Sequence, residues 1–445
     1  MPAETELKLA LDPGALGSLL RHPALRAAKA GPTRIVAEKG FGPRFVTDFE
    51  RRTVPLRLGA ATRALLCIDR GVIRTADGLR ERGISELEIE IVDGDPVDLF
   101  VFAAALAADL PLSIALAGKA ARGVALVQGK PDGWDAPVRA EAIAHPSRAN
   151  AADALAAVLR ECIRQLAANA PGLLADANPE WVHQMRIGTR RLRACLGLIA
   201  PLLPAPGIES LVAEVRWLAG RLGAIRDLDV FAEGTLRALA LAQSEDVVAT
   251  RALTRLRVAA ADEQQRRRDD VRRAVASARF TRLVLAASAL ATAPRFGVPA
   301  EAGRPDTLAE PAGNYAAGQL QRRHTRLLRR MRKAVGGQAD EWHAVRIATK
   351  KTRYVAEFFA GALAPTRRAR AFIDALSGVQ EALGDINDAA AAARLARELA
   401  GEDPALAVGA ASVGAWVAAR RETLEAARAA ATRRYRKTDR FWPRN

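Results

Sequence analysis

Two stretches of this chain carry side chains suited to holding anions. The first reads His183-Gln-Met-Arg186-Ile-Gly-Thr-Arg190-Arg191-Leu-Arg193. The second reads His343-Ala-Val-Arg346-Ile-Ala-Thr-Lys350-Lys351-Thr-Arg353. They align without gaps as H-x-x-R-I-x-T-[RK]-[RK]-x-R, His183 matching His343 and Arg193 matching Arg353, each just after a tryptophan, Trp181 or Trp342. On a helix, His183, Arg186, Arg190 and Arg193 fall within an arc of about 80°. His343, Arg346, Lys350 and Arg353 do the same. Arg191 and Lys351 lie off the centre of that face and rank second. Cations stacked along ~15 Å of helix repel one another. A line of groups at this spacing suits a linear polyanion better than a single phosphate. Arginine offers forked donors to phosphate oxygens and lysine a compact point charge. A single copy would read as a solvated charge run; two copies sharing the same His and Thr read as a site. Each histidine, surrounded by positive charge, is expected to be neutral at pH 7, so anion binding should tighten as the pH falls toward about 6.

The elements that must position these residues follow from a second repeat. Leu222-Gly-Ala-Ile-Arg226-Asp227 matches Leu383-Gly-Asp385-Ile-Asn387-Asp388, at nearly the same distance after each histidine. Leu211, Val215, Leu218, Leu222 and Ile225 form an apolar seam at helical spacing, as do Phe372, Leu376, Val379, Leu383 and Ile386. Each half therefore pairs a basic helix with a seam helix inside a bundle. Asp227 and Asp388 either anchor the basic side chains of the neighbouring helix or hold the turn between helices, with the turn role favoured. Helices are expected at about 148–169, 179–200, 207–239, 245–273, 277–291, 314–334, 341–361, 366–398 and 404–434. Residues 294–313, with four prolines and three glycines, read as a linker between the halves.

The stretch 1–140 differs in charge as well as pattern. It holds 19 Lys and Arg against 18 Asp and Glu, while the remainder holds 48 against 32; the whole chain carries +17. A field concentrated in one region attracts polyanions and speeds their capture. Strands are expected at about 45–58, 64–74 and 85–92, with a further one from Leu116 to Val127. A helix is expected over 13–29, irregular chain over 34–44, and an apolar helix from Asp95-Pro96 to Asp109. Glu4, Glu6, Glu86, Glu88 and Glu90 share strand faces and are of the type that holds Mg²⁺. On spacing alone they read as the solvent face of an antiparallel sheet. The three cysteines (Cys67, Cys162, Cys195) lack metal spacing and suit a reducing compartment. No apolar run approaches membrane-spanning length, and the expected location is the cytoplasm. No P-loop, nucleophilic triad or paired carboxylate site is visible in the helical region.

At these motifs the chain resembles the CHAD family over about 147–435. The resemblance implies two helical bundles related by pseudo-twofold symmetry around a basic channel for inorganic polyphosphate. It implies as binding residues His183, Arg186, Arg190, Arg191, Arg193, His343, Arg346, Lys350, Lys351 and Arg353. The stretch 1–130 resembles a CYTH, or triphosphate tunnel, domain. Glu4-Thr-Glu6-Leu-Lys8 matches its opening E-x-E-x-K, and Ser85-Glu86-Leu-Glu88-Ile-Glu90 its later acidic strand. Asp69-Arg70-Gly71, Lys119 and Arg122-Gly123 resemble further pieces. This implies a tunnel in which glutamates hold Mg²⁺ for tripolyphosphate hydrolysis. The stretch between Arg34 and Val46 is too short for the tunnel wall the family places there, so the expectation is a partial tunnel or sheet without catalysis.

The fold class is thus α+β and multidomain: a small antiparallel β domain, then an all-α duplicated helical bundle. The divisions are 1–130, a linker at 131–146, bundles at 147–293 and 314–435 around the 294–313 linker, and a basic tail at 436–445. The leading functional reading is polyphosphate binding, needing no cofactor, with polyphosphate granules as a place of action. The second is an Mg²⁺-dependent inorganic triphosphatase. Nucleic-acid binding ranks third, because no aromatic residue for base stacking interleaves the basic faces except Tyr354, in one copy only.

Overall fold

The computed structural model describes residues 6–25, 32–38, 44–130, 135–146, 148–203, 208–243, 247–298, 306–336, 339–363 and 367–443, residues 32–38 as backbone only. The amino-terminal part is one antiparallel sheet. Its strands are β1 (Glu6–Leu11), β2 (Pro32–Glu38), β3 (Phe45–Leu58), β4 (Thr62–Thr75), β5 (Glu81–Asp93) and β6 (Leu112–Ile114), in the order β2-β3-β4-β5-β1-β6. No pairing joins β2 to β6 among the described residues, so the sheet is open. Helices α1 (Leu16–Arg21), α2 (Val97–Asp109) and α3 (Lys119–Val127) accompany it.

Period-two alternation sorts the two faces of this sheet. Leu9, Leu66, Ile68, Leu87 and Ile89 point to one side and form a core with Leu99, Ala103 and Leu106 of α2. The charged side chains point to the other side, where α3 covers them. Gly123 makes that cover possible: a Cβ there would lie 2.2 Å from the Phe45 ring of β3.

Three expectations are corrected here. Residues 116–127, expected as a strand, contain α3. Residues 34–44, expected as irregular chain, contain most of β2, which owes its form to pairing with β3 from Pro32↔Arg52 to Glu38↔Val46. The helix expected over 13–29 reduces, within the described residues, to α1 flanked by short 3₁₀ turns.

The remainder is helical, as expected. The first half contains α4 (Ala151–Ala168), α5 (Ala170–Ala175), α6 (Pro179–Ile199), α7 (Glu209–Val230), a π-helical turn at Phe231–Leu236, α8 (Arg237–Ala242), α9 (Val247–Val275) and α10 (Ala278–Thr292). The second contains α11 (Ala312–Lys333), α12 (Ala339–Phe359), α13 (Arg367–Ala400), α14 (Pro404–Ala419) and α15 (Arg421–Arg436). The single helix expected over 404–434 is two, α14 and α15, separated at Arg420. Neighbours repeat between halves: α4 packs on α6 and α6 on α7, as α11 packs on α12 and α12 on α13. The halves are pinned where each begins. Ala151 N donates to Glu310 O at 2.8 Å, and Ala312 N to Ala149 O at 2.9 Å.

Local chemistry starts the first basic helix firmly. Asn178 caps it by accepting from Glu180 N, and Pro179 occupies the first turn, where its missing N–H costs nothing. The repeated threonines are structural: Thr189 Oγ1 donates to Met185 O at 2.8 Å and Thr349 Oγ1 to Val345 O at 2.9 Å, both fully buried. The seam residues Leu211, Val215, Leu218, Leu222 and Ile225 are buried, as are Phe372, Leu376, Val379 and Leu383. The expected basic tail folds back within the described residues: Trp442 is buried, edge-on to Phe372 with ring centroids 5.0 Å apart. No single helix among the described residues is long and apolar enough to cross a membrane.

Candidate functional site

The two basic helices meet. α6 contributes His183, Arg186 and Arg190; α12 contributes Arg346 and Lys350. Contact is made where the Arg190 guanidinium lies over the Tyr354 ring of α12, 5.6 Å from its centroid. Arg226 of α7 joins the group, and Arg186 approaches Asp227 Oδ1 at 3.8 Å. Asp388, the counterpart of Asp227, faces the same group from α13.

Electrostatics here are dominated by crowded positive charge. Burial, then Arg190, Arg346 and Arg186, push the Lys350 ammonium down to about 7. Burial and Arg226 lower His183. Burial lowers Arg186, with Arg190 adding to it, and burial likewise lowers Arg346. Burial raises Asp227, with Asp388 adding to it against the pull of Arg186. His183 Nδ1 and Arg346 Nε are buried without a hydrogen-bond partner among the described residues. Cations so placed resist their charge until an anion arrives. Asp227 lies within α7 and Asp388 within α13, neither at a turn, so the turn-holding reading is corrected: both face the basic cluster instead.

The other named residues lie elsewhere. Arg191 is buried at the helix contact, with its guanidinium 3.5 Å from Glu357 and over the Phe358 ring. Arg353 bonds the same Glu357 and donates to Gln380 Oε1 at 3.0 Å. Both are engaged inside the protein. Lys351 forms a second cluster with Arg323, Arg330, Arg193 and Arg326; burial and these guanidiniums lower it. His343 is exposed, at the mouth of a cavity described below.

Shared identities between the repeats do not reveal Arg226, because its repeat partner is Asn387. Nor do they reveal Arg323, Arg326 and Arg330, although their spacing of three and four places them on one face of α11.

Glu86 and Glu88 are not part of a solvent face, which corrects the reading from spacing for them, whereas Glu6 is exposed and Glu90 half-buried. Register sets Lys8 opposite Glu88, Glu6 opposite Glu90, and Asp69 opposite both Glu86 and Arg51. Asp69, Glu86 and Glu88 are buried. Lys8 reaches Glu6 at 2.8 Å and Glu88 at 2.7 Å. Arg51 grips Asp69 with two bonds of 2.7 and 2.6 Å and also touches Glu88. Lys119 of α3 pairs with Asp69 at 2.6 Å, Glu88 at 2.9 Å and Glu86. Arg122 pairs with Glu86 at 2.8 Å. Burial opposes ionisation of Glu88, but Lys8 and Lys119 outweigh it and hold its carboxyl at about 2. Glu4 lies outside the described residues. The oxygens of Glu6, Glu88 and Glu90 come within 4.8 Å of one another, as do those of Asp69, Glu86 and Glu88. The donor type and spacing fit Mg²⁺, but lysine and arginine already occupy the oxygens.

Comparisons with known proteins concern the helical part. A family model, the CHAD domain, matches residues 157–397. The crystal structure of the CHAD domain from the plant Ricinus communis is 32% identical, covering 67% of this chain and 96% of its own, with a TM-score of 0.57. PptA from Streptomyces chartreusis shares the fold at 22% identity and a TM-score of 0.50, covering 65% of this chain and 100% of its own. A comparison with curated proteins found no match.

Proposed function

The chain belongs to the CHAD domain family, and on that premise we propose that it binds inorganic polyphosphate in the cleft between α6 and α12. One observation carries this reading. Arg186, Arg190, Arg226, Arg346 and Lys350 converge from three helices on a half-buried space where Asp227 and Asp388 leave them under-neutralised. Surface cations ordinarily spread out or pair; these are held together by packing against their own repulsion. A linear polyanion supplies the missing charge along the whole line, with Arg193 and Lys351 extending it toward α11. Binding itself needs no metal or cofactor.

The test is titration of the full chain with long-chain polyphosphate. Reversing Arg186→Glu and Arg346→Glu together should weaken binding at least about a hundredfold, each reversal replacing a charge-assisted contact by repulsion. Circular dichroism should stay helical. A double variant that binds normally would place the site elsewhere. Polyphosphate should also displace bound ligand far better than DNA of equal charge, which separates this reading from nucleic-acid binding.

The amino-terminal sheet supports a second reading, an Mg²⁺-dependent triphosphatase, through the convergence of Glu6, Glu88 and Glu90. The ion pairs from Lys8, Arg51 and Lys119 weigh against it, since a metal would have to displace or share with them. Phosphate release from tripolyphosphate that requires Mg²⁺ and vanishes in Glu88→Gln would favour it. Binding without release leaves the sheet as an auxiliary domain. We place the protein's action in the cytoplasm, on polyphosphate stores.

A further inference from the structure

We propose that a chamber opening off the basic cleft binds a nucleoside triphosphate. The cavity, about 840 Å³, lies between α12, α13, α14 and α15. It goes beyond the polyphosphate reading and shares one residue with it, Arg346.

Three features argue for a ligand that is not a bare phosphate chain. One side of the chamber is cationic. Arg346 and Arg428 line it, and the Nε of each is buried without a hydrogen-bond partner among the described residues. The Arg428 guanidinium also lies over the Trp342 ring at 4.0 Å, a flat arrangement of the kind on which aromatic rings stack. The other side is apolar and roomy. Leu383, Ile386 and Val417 line it, and a Cβ added to Gly414 would meet nothing within 4 Å. Asn387 and Glu425 add an amide and a carboxylate, which suit the polar edge of a base. An inorganic chain gains nothing from an apolar wall, and Glu425, paired with Arg421 at 3.0 Å, offers it no donor. A ligand with phosphates at one end and a flat ring with polar edges at the other satisfies all three features.

The repeat shows that this chamber is not a by-product of duplication. In the register that matches Asp388 to Asp227, Ala390 of the chamber corresponds to Asp229 in the first half. Asp229 is buried, accepts from Gln264 at 3.0 Å and lies 3.6 Å from Arg268. Arg226 stands where the chamber has Asn387. The equivalent space in the first half is thus walled by charge, whereas the second half presents a partly apolar room.

The test is calorimetric titration of the full chain with ATP, tripolyphosphate and adenosine. ATP carries less charge than tripolyphosphate at equal phosphate count, so charge alone favours the latter. The expected result is ATP binding at least tenfold tighter than tripolyphosphate or adenosine. Gly414→Leu fills the chamber while replacing a helix-interior glycine by a better helix former. It should weaken ATP binding at least tenfold and leave long-chain polyphosphate binding unchanged. Ala390→Leu fills the opposite wall and should do the same, which keeps the test alive if one variant misfolds. ATP binding no tighter than tripolyphosphate, or unaffected by both fillings, overturns the proposal. Failure of the cleft reading is distinct: long polyphosphate would not bind, while the ATP preference and its loss on filling would persist.

Discussion

Lys350 is the side chain whose charge the cleft controls most closely. Arg186, Arg190, Arg346 and Asp388 face it, and its ammonium titrates at about 7 against an ordinary 10.5. The unfolded chain therefore holds more protons between those values, and the unliganded protein loses stability as the pH falls from 10.5 through 7. A bound polyanion reverses the sign, since it rewards the protonated form. Polyphosphate affinity should rise as the pH falls from about 8 to about 6, with His183 adding to the lower part. Lys350→Arg, charged throughout, should flatten the upper part of that profile while keeping binding tight. A wild-type affinity flat over this range would remove Lys350 and His183 from the site. The helical wheel placed His183, Arg186, Arg190, Arg346 and Lys350 on faces that do meet. It could not show that Arg191 and Arg353 turn to Glu357, because that partner is chosen by packing between helices distant in sequence.

At the scale of elements, the contact between α6 and α12 decides the width of the cleft. Glu357 stands in that contact and serves Arg191 from one helix and Arg353 from its own. Removing it leaves Arg191 buried without its carboxylate. Glu357→Ala should cost about 3 kcal/mol of stability, the scale for orphaning a buried charge, read from denaturant unfolding. Polyphosphate affinity should fall less, because Glu357 pairs with Arg191 and Arg353 and with none of the five cleft cations.

The helices were legible because long seams such as Leu211 to Ile225 repeat at three and four residues. Elements that depend on distant partners were not. β2 is followed by Gly40, Gly42 and Pro43, which read as irregular chain, and pairing with β3 overrides that signal. α3 reads as a strand in sequence because its short apolar pattern fits either period. Its place over the acidic sheet face, through Gly123 against Phe45, is a tertiary fact. The same cover explains why Glu86 and Glu88 read as solvated in sequence and are buried in the fold.

At the scale of the whole molecule, the excess of +16 in residues 141–445 sets the response to salt. Counterion release should make the logarithm of affinity fall linearly with the logarithm of salt concentration, by analogy with nucleic acids. Five cleft cations imply a slope of roughly −3 to −5 if each neutralises one phosphate. Titrations at several salt concentrations check this; a slope near zero would mean that the polyanion does not occupy the cleft.

The charge change near residue 140 suggests a clean division of the chain, but the apolar packing crosses it. Leu285 of α10 belongs to the core of the amino-terminal sheet, and Thr281 Oγ1 donates to Leu112 O at 2.8 Å. Asn169 bonds both the N–H and the carbonyl of Val138, stitching the connecting segment to α4. Anyone dissecting this protein at its electrostatic boundary would therefore cut through a shared hydrophobic seam. A helical fragment freed in this way would turn the α10 stripe to water and draw copies of itself together, and its self-association would be an artefact of the cut.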